Sequence, residues 1–416
     1  MHCGAVMTLS MRPTVRPASA IQLRLWHHAQ RHPTDPAYNE TLELNIPGPV
    51  DDSRLRQCLA QLTIRHAALR TVLVWKDDAL WQHVEPALGV PLHIEDVTGA
   101  APDERFPAAR RLAHALARVP FDLGRTPLLR VLLVRLADNH HRLYITLHQA
   151  ICDARSRFNL AHELAILYDA RTRGLTPVLP PLPVQYADIA TDHVTPPLAA
   201  PAEPSLAARQ PVRIPAVLAD AARALAAAER TTVGTVLLAA WHTLLYQRGW
   251  DHATTATIAS PRIGRGHAHV VGPMFDVLPL ATHPGEALSF SDLLVETRAA
   301  LAHNDDNATP IDPATPTAGF LMIPAAPRLA GKFTVDLLGV PNGGSKHDLQ
   351  LVLQDDPSGG FSGFIEHRLA FESSFEVARM AAQFVPLLAR LTDEPRPYRE
   401  HSGPTTRAGF PAHAAV

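Results

Sequence analysis

The segment between Arg142 and Arg157 constrains the fold more than any other stretch of this sequence. Its first half alternates aliphatic residues with polar or aromatic ones, in the order Leu143, Tyr144, Ile145, Thr146, Leu147 and His148. This period of two predicts a strand that opens into a turn at Gln149. Four residues separate His148 from Asp153, and a histidine followed by an aspartate at the end of a strand is typical of a catalytic site.

Length and charge limit the architecture and the partners. The chain has 416 residues, of which 46% are hydrophobic, enough for two lobes that each have a core. Its formal net charge is -2, so no overall field attracts nucleic acid or an anionic membrane. Small neutral molecules or another protein are the expected partners.

The cysteines and histidines do not form a metal or disulfide pattern. Cys3, Cys58 and Cys152 lie far apart, which argues against a disulfide framework and against a cysteine-based zinc site. The pairs His27-His28 and His267-x-His269 lack a third ligand at metal spacing. No apolar run of signal-peptide length precedes Ile21, and none later could span a bilayer, so we expect a cytoplasmic protein without a metal.

Several phrases together resemble the condensation domains of nonribosomal peptide synthetases. The motif His-His-x-x-x-Asp-Gly of that family corresponds here to residues 148–154, with Gln149 in place of the second histidine and Ala154 in place of the glycine. The surrounding similarity is closer than the motif itself. It comprises Gln22-Leu-Arg-Leu-Trp26, Arg65-His-Ala-Ala-Leu-Arg-Thr71, Pro120-Phe-Asp-Leu followed by Pro127-Leu-Leu-Arg130, Leu182-Pro-Val-Gln-Tyr-Ala-Asp188, and the strand 270–280.

The resemblance implies an α/β (α+β) fold. Two lobes similar to chloramphenicol acetyltransferase would form a V-shaped pseudo-dimer with a tunnel between them. We expect an N-terminal lobe over 21–192 and a C-terminal lobe over 212–394, joined by a Pro- and Ala-rich linker over 193–211. Residues 1–20 would be a flexible arm and 395–416 a disordered tail, as in a free-standing, monomeric protein.

Gln149 is the residue on which the predicted chemistry depends. In the family, the second histidine orients or deprotonates the acceptor amine, whereas a glutamine can only form hydrogen bonds. His148 could replace it as a base only if the turn is rebuilt, because consecutive residues at a strand end face opposite sides. The alternative for His148 is a packed ring whose nitrogens bind backbone groups.

The remaining candidate residues have structural alternatives. We expect Asp153 to form an ion pair with Arg65, or else with Arg70, and so to hold the turn. Cys152 is either a nucleophile or a small buried apolar residue, and Ser156 either a donor in the tunnel or the cap of a helix over 158–172. The other tunnel candidates are Asp276 and His347.

The resemblance implies acyl transfer from a thioester on the phosphopantetheine arm of an acyl or peptidyl carrier protein. The acceptor would be a small amine or alcohol, the product an amide or ester, and no cofactor would be bound. A second possibility is a catalytically inactive platform that recruits carrier proteins or tailoring enzymes. A third is a different tunnel reaction that uses His148 or His347.

Overall fold

A computed structural model describes residues 14–86, 89–191, 206–250, 253–259, 266–285, 289–303, 317–323, 329–331 and 333–393. Its strands are β1 (Thr14–Pro17), β2 (Asn39–Pro47), β3 (Thr71–Lys76), β4 (Ala79–Val84), β5 (Leu92–Asp96), β6 (Leu129–Ala137), β7 (His140–His148), β8 (Ala207–Ile214), β9 (Ala253–Ala259), β10 (Asp276–Thr282), β11 (Ala318–Ile323), β12 (Thr334–Asp336), β13 (Leu349–Asp355) and β14 (Phe361–Arg368). Its helices are α1 (Ala20–Arg31), α2 (Asp52–Arg65), α3 (Pro102–Ala117), α4 (Ala154–Thr172), α5 (Tyr186–Ile189), α6 (Ala216–Ala228), α7 (Val233–Gln247), α8 (Phe290–His303) and α9 (Ser374–Asp393), with a 3₁₀ helix over Ala67–Arg70.

The chain divides into two compact units that do not follow chain order. The first comprises residues 1–195, 260–275 and 326–344, and the second comprises 196–259, 276–325 and 345–416. Two segments from the later half of the chain therefore belong to the first unit, whereas the sequence placed both of them in a C-terminal lobe over 212–394.

The first unit is built on a five-stranded sheet in the order β12-β2-β7-β6-β5. β7 lies at its centre, antiparallel to both β2 and β6, and Leu143 and Leu147 on β7 are fully buried. Tyr144 and Thr146 on the opposite face are buried as well, as expected for a central strand that is covered on both sides. The predicted strand over 143–147 is confirmed, and both of its neighbouring strands precede it in the sequence.

A smaller antiparallel sheet of β1, β4 and β3 completes the first unit. β1 covers Thr14–Pro17, and α1 begins at Ala20, so the predicted flexible arm over 1–20 is wrong from residue 14 onward. The reason is that β4 offers a free edge, and β1 satisfies its backbone hydrogen-bonding groups by pairing with it. Residues 1–13 lie outside the described part of the chain.

The second unit contains a six-stranded sheet in the order β10-β9-β11-β13-β14-β8. Helices α6, α7, α8 and α9 contribute to its core, in which Trp241 and Phe384 are fully buried and their rings contact edge to face. In this unit β11 runs parallel to both β9 and β13, and the other pairs are antiparallel. The mixed composition agrees with the α/β (α+β) class expected from the sequence.

The predicted linker over 193–211 overlaps a strand. β8 pairs with β14 along its whole length, and Arg209 forms a 2.8 Å ion pair with Glu366 across the two strands. The segment is poor in large apolar residues because β8 is an edge strand whose first half is only partly buried. An edge strand also tolerates Pro211, which lacks a backbone N–H group. Residues 193–205 and the predicted tail over 395–416 lie outside the described residues.

Candidate functional site

One turn in the first unit brings most of the candidate residues together. β7 ends at His148 and α4 begins at Ala154, so residues 149–153 form the turn between them. The Gln149 N–H donates to the Tyr38 carbonyl at 2.9 Å, and the Ile151 N–H donates to the His148 carbonyl at 3.0 Å. The backbone of the turn is thus held both by its own residues and by the start of β2.

His148 is oriented by the backbone of the turn. Its Nδ1 accepts a hydrogen bond from the Ala150 N–H at 3.1 Å. The proton of the neutral ring is therefore on Nε2. The residue is 6% exposed, and its ring lies 6.4 Å from that of Tyr38 and 6.2 Å from that of Phe121. Its use as a base remains a prediction. In that role, Nδ1 would have to give up its hydrogen bond from the Ala150 N–H before it could accept a proton.

Gln149 has a buried acceptor atom that lacks a donor among the described residues. The residue is 6% exposed, and its side-chain oxygen accepts no hydrogen bond from any residue that the structure describes. Leaving such an acceptor unsatisfied costs about 1–3 kcal/mol, so the position favours a ligand with an N–H or O–H group. A carboxamide has no accessible protonation equilibrium near neutral pH and can align such a group without taking its proton.

Gln22 is a positioning residue that the sequence analysis did not select. Its Nε2 donates to the Ala150 carbonyl at 3.1 Å and to Gln82 Oε1 at 3.2 Å, so it ties the turn to α1 and β4. Its own backbone N–H donates to the Ser19 hydroxyl in a capping box. The signal was present in the sequence, because Gln22 opens the Gln-x-Arg-Leu-Trp phrase.

Asp153 caps α4 and holds a later segment of the chain. Its Oδ1 accepts from the Ser156 N–H and hydroxyl, both at 2.7 Å, and its Oδ2 accepts from the Met274 N–H at 3.0 Å. The Gly272 N–H donates to the Ser156 hydroxyl oxygen at 3.0 Å. Asp153 is the cap, so the prediction that Ser156 caps a helix over 158–172 is wrong, and the helix begins at Ala154.

The predicted ion pair between Arg65 and Asp153 is not formed. Arg65 Nε donates instead to Glu163 Oε2 at 2.9 Å, and its guanidinium also contacts the Pro180 carbonyl. Arg65 ends α2, which packs on α4, and this brings it to the third turn of α4. Arg70, the second candidate, donates to the Thr63 carbonyl at 2.7 Å.

Glu163 is the buried acid that Arg65 neutralises. It is 1% exposed, and His66 Nε2 lies 2.8 Å from the same oxygen that Arg65 contacts. Burial by itself would raise the pKa of this carboxyl group, but the hydrogen bonds from His66 and Arg65 outweigh it and hold the pKa below its ordinary value. The carboxylate therefore remains charged and fastens α2 to α4.

Of the remaining candidate residues, Cys152 lies in the turn, whereas His347 and Asp276 belong to the second unit. Cys152 is fully buried, and its thiol contacts the His148 carbonyl at 3.5 Å. His347 belongs to the second unit, where its ring packs against Gly319; the adjacent Asp348 accepts from the Thr317 N–H and pairs with Arg368 at 2.9 Å. Asp276 begins β10 in that unit, and its side chain lies outside the described residues.

Within the described part of the chain, no three histidine, cysteine, aspartate or glutamate side chains form a group that could hold a metal ion. None of the helices there has both the length and the apolar composition needed to cross a membrane.

Comparisons with known proteins identify the family. The model of the condensation domain matches residues 13–195 and 193–311. Phosphinothricin tripeptide synthetase PhsC from Streptomyces viridochromogenes is 32% identical over 325 residues, which are 70% of this chain and 30% of that protein. The chain thus spans less than a third of the length of this curated relative.

Solved structures show the same fold. The first condensation domain of the calcium-dependent antibiotic synthetase matches with a TM-score of 0.76 at 17% identity, covering 94% of this chain and 99% of that one. The X-domain from teicoplanin biosynthesis matches with a TM-score of 0.75 at 23% identity, covering 94% and 98%. The chain has the chloramphenicol-acetyltransferase-like fold of these domains, and it belongs to the condensation domain family of nonribosomal peptide and related natural-product biosynthesis.

Proposed function

We propose that this protein transfers an acyl group from a carrier-bound thioester to an amine or hydroxyl acceptor, with Gln149 aligning the nucleophile. The observation that supports the proposal is the buried side-chain oxygen of Gln149, which has no donor among the described residues. An acceptor that presents an N–H or O–H group would supply that donor. The hydrogen bond would orient the lone pair of the acceptor toward the thioester carbonyl.

The energetics allow turnover without the usual histidine. General base help contributes typically 10²- to 10⁴-fold, which is roughly 3–5 kcal/mol of activation free energy. A thioester is already activated toward nucleophiles, and alignment of the two reactants recovers part of the loss. Replacement of the histidine by Gln149 is therefore compatible with a slower acyltransferase.

The substrates would arrive on partners and not on a bound cofactor. The acyl donor would be tethered to the phosphopantetheine arm of an acyl or peptidyl carrier protein, and the acceptor would be a small amine or alcohol. Their identities depend on residues that line the acceptor and donor sites. The carrier protein is the partner to test first, because it would deliver the acyl donor.

The alternative function is a non-catalytic platform that recruits carrier proteins or tailoring enzymes. The same residue favours it, because Gln149 cannot accept a proton from the nucleophile. The fold alone does not separate these two functions. The turnover of defined variants does.

The decisive experiment is a single-turnover reaction of an acyl-phosphopantetheine carrier protein with a panel of amines and alcohols. Wild type would be compared with Gln149→Ala, His148→Ala and Gln149→His, and carrier binding would be measured for each. If Gln149 aligns the nucleophile, Gln149→Ala lowers the single-turnover rate by roughly 2- to 10-fold, which corresponds to the loss of one neutral hydrogen bond. Gln30→Ala is the matched control, because Gln30 is an exposed glutamine on α1.

One result would contradict acyl transfer, and another would contradict the role of Gln149. The first is a wild type that binds the carrier and forms no product, while Gln149→His turns over; this pattern identifies the platform. The second is an equal rate in wild type and Gln149→Ala, which removes Gln149 from the reaction.

A further inference from the structure

We propose that Ser374 and His367 form a second reactive site, in which the serine takes an acyl group from an ester or thioester and the histidine is its base. Both residues belong to the second unit, where His367 lies near the end of β14 and Ser374 begins α9. The turn between β7 and α4 belongs to the first unit. The inference therefore does not depend on the function proposed for Gln149.

The first observation is the arrangement of hydrogen bonds around the His367 ring. Its Nε2 lies 3.3 Å from the Ser374 hydroxyl oxygen, and its Nδ1 lies 3.0 Å from the Glu372 carbonyl oxygen. A carbonyl oxygen can only accept, so Nδ1 donates a proton to it and Nε2 of the neutral ring keeps its lone pair. A hydroxyl beside a base that a third group orients is the arrangement that activates a serine nucleophile.

The second observation is that the base is shielded from water while the serine is not. His367 is fully buried, whereas Ser374 is half-buried at the start of its helix. Burial lowers the pKa of His367 and outweighs the opposing effect of its hydrogen bonds to the backbone. The neutral ring, which is the form that can accept a proton, therefore predominates at neutral pH. The 3.3 Å separation is in the range that catalytic hydrogen bonds show before a substrate binds.

The third observation is that the hydroxyl of Ser374 does not cap the helix. The preceding residue does so, because the Glu376 N–H donates to the Ser373 hydroxyl at 3.2 Å. Ser374 and Phe375 are the first two residues of α9, so their N–H groups have no acceptor within the helix. Those N–H groups would stabilise the negative oxygen of a tetrahedral intermediate formed on the serine.

The surrounding sequence indicates which acyl groups the serine would take. Phe375 follows it directly and is 72% exposed, and Leu369, two residues after His367, is exposed as well. These apolar side chains favour an uncharged, apolar acyl chain, since its burial against them removes apolar surface from water. The expected substrates are thus activated esters or thioesters of short aliphatic acids.

The proposed reaction has two steps. In the first, the Ser374 oxygen forms a bond to the acyl carbon as the ester C–O or thioester C–S bond breaks. His367 Nε2 takes the serine proton and returns it to the leaving alcohol or thiol. In the second step, water attacks the acyl-serine with the same histidine as base, which releases a carboxylic acid and restores the serine.

The experiment combines covalent labelling with hydrolysis of two model substrates by the full chain. A fluorophosphonate that reacts with activated serines is added to wild type, and the modified residue is mapped by mass spectrometry. Hydrolysis is measured with p-nitrophenyl butyrate as the ester and butyryl-N-acetylcysteamine as the thioester. We expect an adduct at Ser374, and we expect Ser374→Ala and His367→Gln to lower hydrolysis by at least about 10²-fold, the lower end of general base help.

Ser53→Ala is the matched control. Ser53 is an exposed serine in the first turn of α2, so it resembles Ser374 in its position on a helix. This variant should hydrolyse both substrates at the wild-type rate. A purely structural bond between Ser374 and His367 would affect stability but would produce neither the adduct nor the hydrolysis.

Three results would overturn the proposal. The first is the absence of an adduct at Ser374 in wild type, and the second is equal hydrolysis by wild type and Ser374→Ala. The third is labelling of Ser374 at the wild-type rate in His367→Gln, which would mean that the histidine is not the base. Because His367 is fully buried, this variant is compared only if its near-ultraviolet circular dichroism matches that of wild type; the first two results decide the question without it.

Discussion

His242 occupies the middle of α7 with no exposure to solvent. Its Nδ1 lies 2.6 Å from the Thr282 hydroxyl and its Nε2 lies 2.7 Å from the Thr255 hydroxyl. These two threonines are on the neighbouring strands β10 and β9, so a single imidazole ties a helix to two strands. Burial disfavours the charged ring and lowers its pKa to about 3.

This histidine should make the protein sensitive to mild acid. Its folded pKa lies below its unfolded value of about 6.5, so the unfolded state binds more protons between pH 3 and 6.5. The free energy of unfolding therefore falls as the pH drops below about 6.5, by roughly 2 kcal/mol at pH 5 from this group alone. Urea denaturation of wild type and His242→Gln at pH 5 and pH 7.5 measures it.

The variant should lose that part of the pH dependence, although it is less stable at pH 7.5. His27→Gln is the control, because His27 is an exposed histidine on α1. An equal change in stability with pH for wild type and His242→Gln would show that His242 does not cause the acid sensitivity.

At the scale of elements, the start of α4 is coupled to a segment that follows it by more than a hundred residues. Asp153 satisfies the Ser156 N–H at the first turn of the helix and also the Met274 N–H. Ser156 is fully buried and receives the Gly272 N–H. One carboxylate thus serves both as a helix cap and as an anchor for residues 272–274.

Asp153→Ala should therefore cost more than an ordinary cap. Loss of a cap costs about 1 kcal/mol, and the buried Met274 N–H left without its acceptor adds about 1–3 kcal/mol. We expect a destabilisation of roughly 2–4 kcal/mol and faster hydrogen exchange at the Met274 amide. Denaturation and residue-resolved exchange measure the two effects.

Asp51→Ala provides the comparison within the same chain. Asp51 caps α2 by accepting the Arg54 N–H at 2.9 Å, and the residue is exposed. Its loss should cost about 1 kcal/mol and leave the Met274 amide unaffected. Equal costs for the two substitutions would mean that Asp153 acts as a cap and nothing more.

The sequence predicted the elements at the site better than their contacts. Alternation of aliphatic residues was enough to find β7, because a central strand buries its side chains along its length. The position of α4 was missed by four residues, since Asp153 had been assigned to an ion pair and was not considered as a cap. The partner of Arg65 could not be chosen from the sequence, because Asp153 and Glu163 are both buried carboxylates, and the packing of α2 on α4 selects Glu163.

At the candidate site, too, the sequence indicated the important residues but not their contacts. The resemblance drew attention to Gln149 and His148, and local sequence implied that they end a strand. It did not reveal that Gln22 holds the Ala150 carbonyl, because a contact across 128 residues depends on how α1 and β4 approach the turn. The position of the Gln149 oxygen, buried and without a donor among the described residues, likewise depends on the three-dimensional structure.

At the scale of the whole molecule, chain order and compact units disagree. Residues 260–275 and 326–344 belong to the first unit. Within that unit, the Asn342 side chain donates to the Ala37 carbonyl at 3.1 Å and to the Asn39 carbonyl at 2.8 Å. The lobe boundaries expected near residues 192 and 212 assume that each lobe is one continuous segment. The first unit instead also includes these two later segments.

A fragment that ends at residue 195 should therefore fail to fold as the first unit. It lacks the donors that Asn342 and Met274 supply, and it leaves one edge of β2 unpaired. We expect its denaturation to be non-cooperative, in contrast to that of the full chain, when both are followed by circular dichroism in urea. A cooperative transition with native-like near-ultraviolet signal in the fragment would contradict this expectation.

During synthesis on the ribosome, β2 cannot pair with β12 until almost 300 further residues have been added, because β12 lies far downstream in the sequence. The contact between Asn45 and Thr334 spans 289 residues. At about 5–20 residues per second, the ribosome needs roughly 15–60 s to deliver β12 after β2 has emerged. During that interval the nascent chain carries an open strand edge, which is a site at which newly made chains can join one another or be held by a chaperone. Expression yield should thus depend on how fast the later half of the message is translated.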